Sequence, residues 1–140
     1  MDKDNLERVM IEEIKLVQDI TKRMSGNSFL IKGWTLTLVV AALLFKVDHK
    51  VVNQVPLACI PLVMFWFLDT YYLRQEKLFR RLHCWIIKHR LNTSEYLFDF
   101  STSRFENEVP NFWKVAVSKT LLPFYGLIAL LIYIYWAFMR

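Results

Sequence analysis

The sequence predicts an all-α membrane protein with three transmembrane helices, an N-terminal amphipathic cytosolic helix and a cytosolic extension of the second span, assembled as an oligomer. Three observations carry that expectation. Of 140 residues, 55% are apolar and 16% aromatic, a high share for an ordinary soluble domain. The apolar residues gather into three windows, each approaching the roughly 20 residues that cross a bilayer. The 18 Lys and Arg residues are partitioned unevenly among the segments between those windows, as the positive-inside rule requires of a multi-pass protein.

Residues 1–26 form the N-terminal helix. Leu6, Val9, Met10, Ile14, Leu16, Val17, Ile20 and Met24 share one wide arc at about 100° per residue, with Arg8, Glu12, Lys15, Asp19 and Lys22 opposite. Acids open this helix and Lys22 and Arg23 close it, in line with the helix dipole. Acids and bases balance on its polar face, which favours packing on protein over lying on a lipid surface. Ser25, Gly26, Asn27 and Ser28 read as a turn, with Gly26 ending one helix and Asn27 or Ser28 capping the next.

The first span, within 27–46, has its apolar core at 29–45, about 25 Å long at 1.5 Å per residue. Lys32 is placed to snorkel to the cytosolic headgroups, Trp34 suits the interfacial belt, and Thr35 and Thr37 are placed to bond back to their own helix. Residues 47–54 make a short outer loop. The second span, 55–73, starts at Pro56, which suits a first helical turn, and contains Pro61, which removes one backbone bond. It continues without a breaker into 74–92, so one helix passes from lipid into a strongly basic segment.

Residues 74–112 hold that basic helix and the one long irregular stretch. Asn92, Thr93 and Ser94 are good caps for a short helix over 95–98. Tyr96, Leu97, Phe98, Phe100 and Phe105 are too apolar for a free linker and should pack on the N-terminal and basic helices. The third span lies in 113–140, with Pro110 at the first turn of its helix, Trp113 at the inner interface and apolar residues over 121–139. Six Lys or Arg lie in 1–32, two in 46–54 and nine in 74–119, with Arg140 alone at the end. That distribution puts the N-terminus and the central segment in the cytosol and the C-terminus outside.

No catalytic constellation is present: no GxSxG, Walker loop or HExxH. His83 and His89 are six residues apart and do not share a helix face as metal ligands would; Cys59 and Cys84 form no CxxC. No enzyme activity, metal or cofactor is expected. The basic helix carries more information. Arg74, Lys77, Arg81 and Lys88 cluster within about 60° of one face, with Arg80 beside it and Trp85 on the adjoining apolar stripe. The plain use of such a face is anchoring to anionic lipid. The sharper use is a site for a phosphate-bearing ligand, neutralised by these cations and stacked on an aromatic such as Trp85. Asp69 sits at the inner end of the second span, where a carboxylate is costly without water or a partner. Paired with Lys32 or Arg74 it is structural; facing a pore, it favours cations. Tyr72 and Tyr133 are further candidates for a pore or gate, Tyr133 together with Tyr125 and Tyr135 placing hydroxyls at membrane depth or its rim, where helix packing through a hydrogen bond is the ordinary use. Three spans do not enclose a wide water path, so a pore would need several copies around an axis.

The runs 27–37 (NSFLIKGWTLT) and 66–80 (WFLDTYYLRQEKLFR), with the general layout, resemble the small membrane effectors that accompany nucleotidyltransferases in bacterial anti-phage defence loci of the Hailong type. The resemblance implies a homo-oligomeric, tetrameric ion channel of the inner membrane. It further implies that a partner nucleotidyltransferase makes short single-stranded DNA that binds the channel and keeps it closed. Loss of that ligand in infection would open the pore, depolarise the membrane and arrest growth. The family supplies no residue-level ligand map, so the candidates Arg74, Lys77, Arg80, Arg81, Lys88 and Trp85 come from charge and facing alone. Two other function classes remain open on the residues: a non-conducting membrane anchor that recruits a cytosolic partner, and a holin-like lesion former. Holin-like proteins usually carry their charge on a terminal tail, whereas here it is internal.

Overall fold

The computed structural model describes residues 3–44 and 54–139; the expected outer loop and His49 lie outside them. The described chain is helical, with no strand. Helix α1 is Lys3–Leu44, α2 is Gln54–His89 continued by a 3-10 turn at Arg90–Asn92, α3 is Phe112–Ala116 and α4 is Leu122–Met139. A second 3-10 segment, Ser103–Glu108, lies in the irregular stretch.

Helices α1 and α2 form a long antiparallel hairpin. Its register is visible in paired residues: Glu13 meets Arg90, Gln18 meets His83, and Lys32 meets Asp69. Helix α4 runs back along the apolar half, where Tyr135 donates to Gln54 Oε1 at 2.7 Å and to Leu43 O at 3.1 Å. Val39, Ala58, Ile128 and Ile132 form the core there.

The polar half has its own core. Val17, Leu78, Leu82, Ile86, Phe105 and Val109 are buried together, with Met10, Ile14, Phe79, Trp85 and Phe100 against them. Met10, Ile14 and Val17 of the N-terminal arc, and Phe100 and Phe105 after Asn92, thus pack on the basic helix as their pattern predicts, whereas four other residues of these groups stay exposed. Leu16 is exposed on α1, and Tyr96, Leu97 and Phe98 are exposed on their turn.

Two of the helical segments, Lys3–Leu44 and Gln54–Asn92, are long and apolar enough to cross a membrane. Leu122–Phe138 is a shorter apolar helix. The core helix of a soluble protein would be mostly buried, yet only 22% and 17% of the two apolar windows are buried. Large side chains such as Phe29, Trp34, Met64, Phe67, Leu127 and Phe138 point outward. An apolar surface that extensive calls for lipid or a partner helix.

Three local expectations are corrected. No turn separates the amphipathic helix from the first span: α1 is continuous through Ser25–Ser28, and Gly26 has negative φ. A helical glycine costs about 1 kcal/mol against alanine, which the packing of both halves of α1 on α2 outweighs. Residues 95–98 are a turn and not a helix, because Tyr96 and Phe98 take φ of 57° and 54°, incompatible with a right-handed helix. Pro110 does not start the last helix. It precedes the separate five-residue α3, and a turn over 117–121 intervenes before α4, with Ser118 O accepting from both Leu121 and Leu122 N–H.

Candidate functional site

The junction between the apolar and polar halves centres on Asp69. Its carboxylate is fully buried, and the two helices flanking α2 supply its partners. Lys32 of α1 reaches Oδ2 at 2.6 Å, Ser28, one turn earlier, donates to Oδ1, and Tyr125 of α4 donates to Oδ2 at 3.0 Å. Lys32 also donates to Ser28 Oγ at 2.9 Å, and Tyr125 reaches Phe65 O at 3.2 Å. The spacing of Ser28 and Lys32 puts both on one face of α1; the continuity of α1 through Gly26 is what makes that spacing helical. Thr35 and Thr70 flank the cluster, each bonded to its own helix four residues back.

This geometry revises the expectation for Lys32 and, of the two uses weighed for Asp69, meets the pairing with Lys32. Lys32 does not snorkel outward: its ammonium turns into the protein because the Asp69 charge lies within reach. Asp69 does not line an open path in the protomer. Every donor around it belongs to the chain, so its work here is to bind α1, α2 and α4 together at one level. Of the aromatic gate candidates, Tyr72 is half-buried edge-on to Tyr71, and Tyr133 is exposed beside Trp136.

The basic face of α2 is partly gathered. Lys77, Arg80 and Arg81 line a shallow concavity of about 310 Å³ with Cys84, Glu108, Val109 and Pro110. Arg74 borders it, its Nε donating to Pro110 O at 3.4 Å. Arg80 also lines a smaller hollow of about 220 Å³ with Gln18, Thr21, Lys22 and His83. Its side chain is 67% exposed, yet its Nε and Nη2 both donate to Oε1 of Glu76, one helical turn earlier and itself buried, so Arg80 is anchored at one edge while its outer face lines the concavity. Lys88 is exposed but lies outside the concavity.

Trp85 is not an open stacking platform. His89 stacks on it at 5.5 Å, Tyr96 meets it edge-on at 6.1 Å, and the guanidinium groups of Arg90 and Arg104 lie 5.3 and 5.0 Å from its centroid. The reason is the turn at 95–98, which brings Tyr96 back over the end of α2.

Sequence reading missed a second buried ion pair. Arg90 Nε and Nη2 reach Glu13 Oε2 and Oε1 at 2.6 and 2.9 Å, and both side chains are 1% exposed. Arg90 also donates to the carbonyls of Thr93, Glu95 and Tyr96, and Glu13 accepts from Phe98 N–H at 2.8 Å. One signal was present: Glu13 stands three residues after Met10 and four before Val17, an acid on the apolar arc of α1.

Comparison with protein-family models, with characterised proteins and with solved structures finds no match for this chain.

Proposed function

We propose that this chain is the subunit of an oligomeric ion channel of the bacterial inner membrane, with a tetramer favoured, acting as an effector of anti-phage defence. Its N-terminus and polar module lie in the cytosol, three helices cross the membrane and the C-terminus lies outside. A short single-stranded DNA, made by a partner nucleotidyltransferase, binds the cytosolic basic surface and keeps the channel closed. Losing it opens the pore, depolarises the membrane and stops growth.

The observation that carries this reading is mechanical continuity. Helices α1 and α2 pass without a break from a packed, basic module into apolar segments, and buried Asp69 fastens them to α4 where the two regions meet. A ligand seated on Lys77, Arg80 and Arg81 would therefore act on rods that extend into the membrane. The exposed apolar faces of the spans supply surface for both lipid and neighbouring copies. The defence role, the DNA ligand and the sign of gating rest on the family resemblance.

The test is ion flux through purified protein in liposomes, with and without short single-stranded DNA. Current that the oligonucleotide suppresses is expected. A monomer in mild detergent, or no current under either condition, rejects the channel. Replacing Arg80 and Arg81 by Ala should weaken oligonucleotide binding and reduce the slope of log affinity on log salt by about 0.7 for each phosphate that is no longer neutralised. Unchanged binding would place the ligand elsewhere. A second reading, a membrane anchor for a cytosolic partner, is favoured by Ile11 and Leu16, each 45% exposed on α1. It predicts a stable complex with the partner enzyme and no conductance.

A further inference from the structure

Two arginines approach the same Trp85 ring, and their hydrogen bonding differs. Arg90 presents its Nε and Nη2 edge to both oxygens of the Glu13 carboxylate. Arg104 lies 5.0 Å from the Trp85 centroid, 3.9 Å from that of Tyr96 and 5.4 Å from that of Phe105. Its Nε and Nη2 are buried, and neither has a hydrogen-bond partner among the described residues. These two atoms form the fork with which arginine grips a carboxylate or a phosphate bidentately. A cation over an aromatic face is attracted through its charge, but that attraction does not satisfy two N–H donors. Leaving buried donors unsatisfied is costly, and more so on a charged group.

The surrounding backbone is shaped at some cost to hold this arrangement. Tyr96 and Phe98 adopt left-handed φ values that aromatic residues rarely take. They are kept there by Arg90 on the Tyr96 carbonyl and by Glu13 on the Phe98 N–H. Backbone strain over-determined by a buried ion pair is characteristic of a ligand clamp. The same loops carry Glu95, Asp99, Glu106 and Glu108, all exposed, and none of them is bonded to Arg104.

We propose that the Nε and Nη2 edge of Arg104, framed by Trp85, Tyr96 and Phe105, is a binding site for a single terminal phosphate of a soluble ligand. The proposal rests on the reading that the polar module takes a phosphate-bearing ligand, and it says which part of that ligand is gripped. Burial of both donor atoms fits an end group. An internal phosphodiester carries chain on both sides of the phosphate and suits two buried donors less well. Arg104 is half-buried and Tyr96 is 49% exposed, so the fork lies just beneath the surface. Lys88 and His89 are exposed on the last turn of α2 and Glu95, Asp99, Glu106 and Glu108 on the loops, so the choice of phosphate over carboxylate is decided by the acetate arm of the experiment. On the proposed topology Trp85, 16 residues beyond Asp69 on α2, stands about 24 Å along the helix from the junction, which favours a soluble ligand over a lipid headgroup.

The experiment uses the full chain in lipid nanodiscs and two probes, a thymidine hexamer with a 5′ phosphate and the same hexamer with a 5′ hydroxyl. Wild type should bind the phosphorylated form about tenfold more tightly. Arg104→Lys keeps the charge over the rings and loses the fork, so it should abolish the preference while retaining the wild-type melting temperature. Arg80→Ala should lower the affinity for both probes equally. Millimolar inorganic phosphate should raise the melting temperature of wild type and leave that of Arg104→Lys unmoved, whereas acetate should move neither. Equal binding of the two hexamers, with no phosphate effect on melting, overturns the terminal-phosphate site and leaves the oligonucleotide reading standing. Failure to bind either hexamer overturns the oligonucleotide reading. In that case a phosphate effect lost in Arg104→Lys still supports the site, and its absence overturns the site as well.

Discussion

Helices α1 and α2 are joined by two buried ion pairs, one near each end of the polar half, and the two are built differently. Glu13 and Arg90 meet through a two-point fork, both are sealed from water, and the surrounding carbonyls and the Phe98 N–H take up the remaining bonding capacity. Lys32 and Asp69 meet at a single oxygen, with the lysine 21% exposed and a serine and a tyrosine sharing the carboxylate. A guanidinium fork is directional and gives up much when it moves. An ammonium on a flexible stem, meeting the carboxylate at a single oxygen, can leave at smaller cost. The first pair is a staple that holds the 93–98 loop in shape; the second ties the helical junction through a contact that is easier to break. In sequence the pairs are 19 residues apart on α1 and 21 on α2, about 30 Å of helix, so they act on separate regions of one hairpin.

Breaking the staple should have the largest effect. Arg90→Ala strands a buried Glu13 and releases three carbonyls of the 93–96 turn, and should cost about 3–5 kcal/mol, read as a fall in the melting temperature of the detergent-solubilised protein. A loss below about 1 kcal/mol would mean that water reaches Glu13. Asp69→Asn should cost less, about 1–3 kcal/mol, because Lys32 can turn toward solvent and the single amide oxygen still accepts from one of Ser28 and Tyr125. Combining it with Lys32→Met should recover part of that loss, and a double-mutant cycle with no coupling would deny the pair its role. On the channel reading, Asp69→Asn should also raise basal conductance, whereas Arg90→Ala should impair ligand response first.

Tyr125→Phe removes one bond to Asp69 and one to Phe65 O, and should cost about 1 kcal/mol by the same melting measurement. Arg80→Ala, away from both pairs, leaves the buried Glu76 carboxylate without its partner and should likewise cost about 1 kcal/mol, so its ligand binding is measured where the variant is fully folded. The smallest effect should be a gain. Gly26 is exposed within α1, and an added Cβ would meet nothing within 4 Å, so Gly26→Ala should stabilise by about 0.5–1 kcal/mol. Destabilisation there would indicate that α1 breaks at Gly26 in solution.

Much of the architecture was legible in advance because it depends on periodicity and length. The passage of α2 from an apolar run into a basic one, the apolar arc of α1, and the back-bonding of Thr35 and Thr37 follow from local pattern. So does the packing of Phe105 and Phe100 on the N-terminal and basic helices. The turn at Ser25–Ser28 misled because Gly, Asn and Ser carry strong local signals for a cap, and local signals are outvoted when both flanks of a helix pack on the same partner. The turn at 95–98 misled in the opposite direction. Good capping residues precede it, but Arg90 and Glu13, from distant parts of the chain, hold its backbone in a conformation no helix admits.

By itself, the sequence determined a helical chain with apolar windows, of which it read three as spans where two are long and apolar enough to cross a membrane, and a basic face on the second, since hydropathy and helical facing are properties of neighbouring residues. Only the tertiary structure decided which charges are spent inside the protein. Lys32 took Asp69, Arg90 took Glu13, and Arg104 was left over an aromatic frame with its fork unengaged by the described residues. Those assignments depend on residues 37 to 77 positions apart being brought within hydrogen-bonding distance. That proximity is set by the register of the α1–α2 hairpin, and no local pattern encodes it.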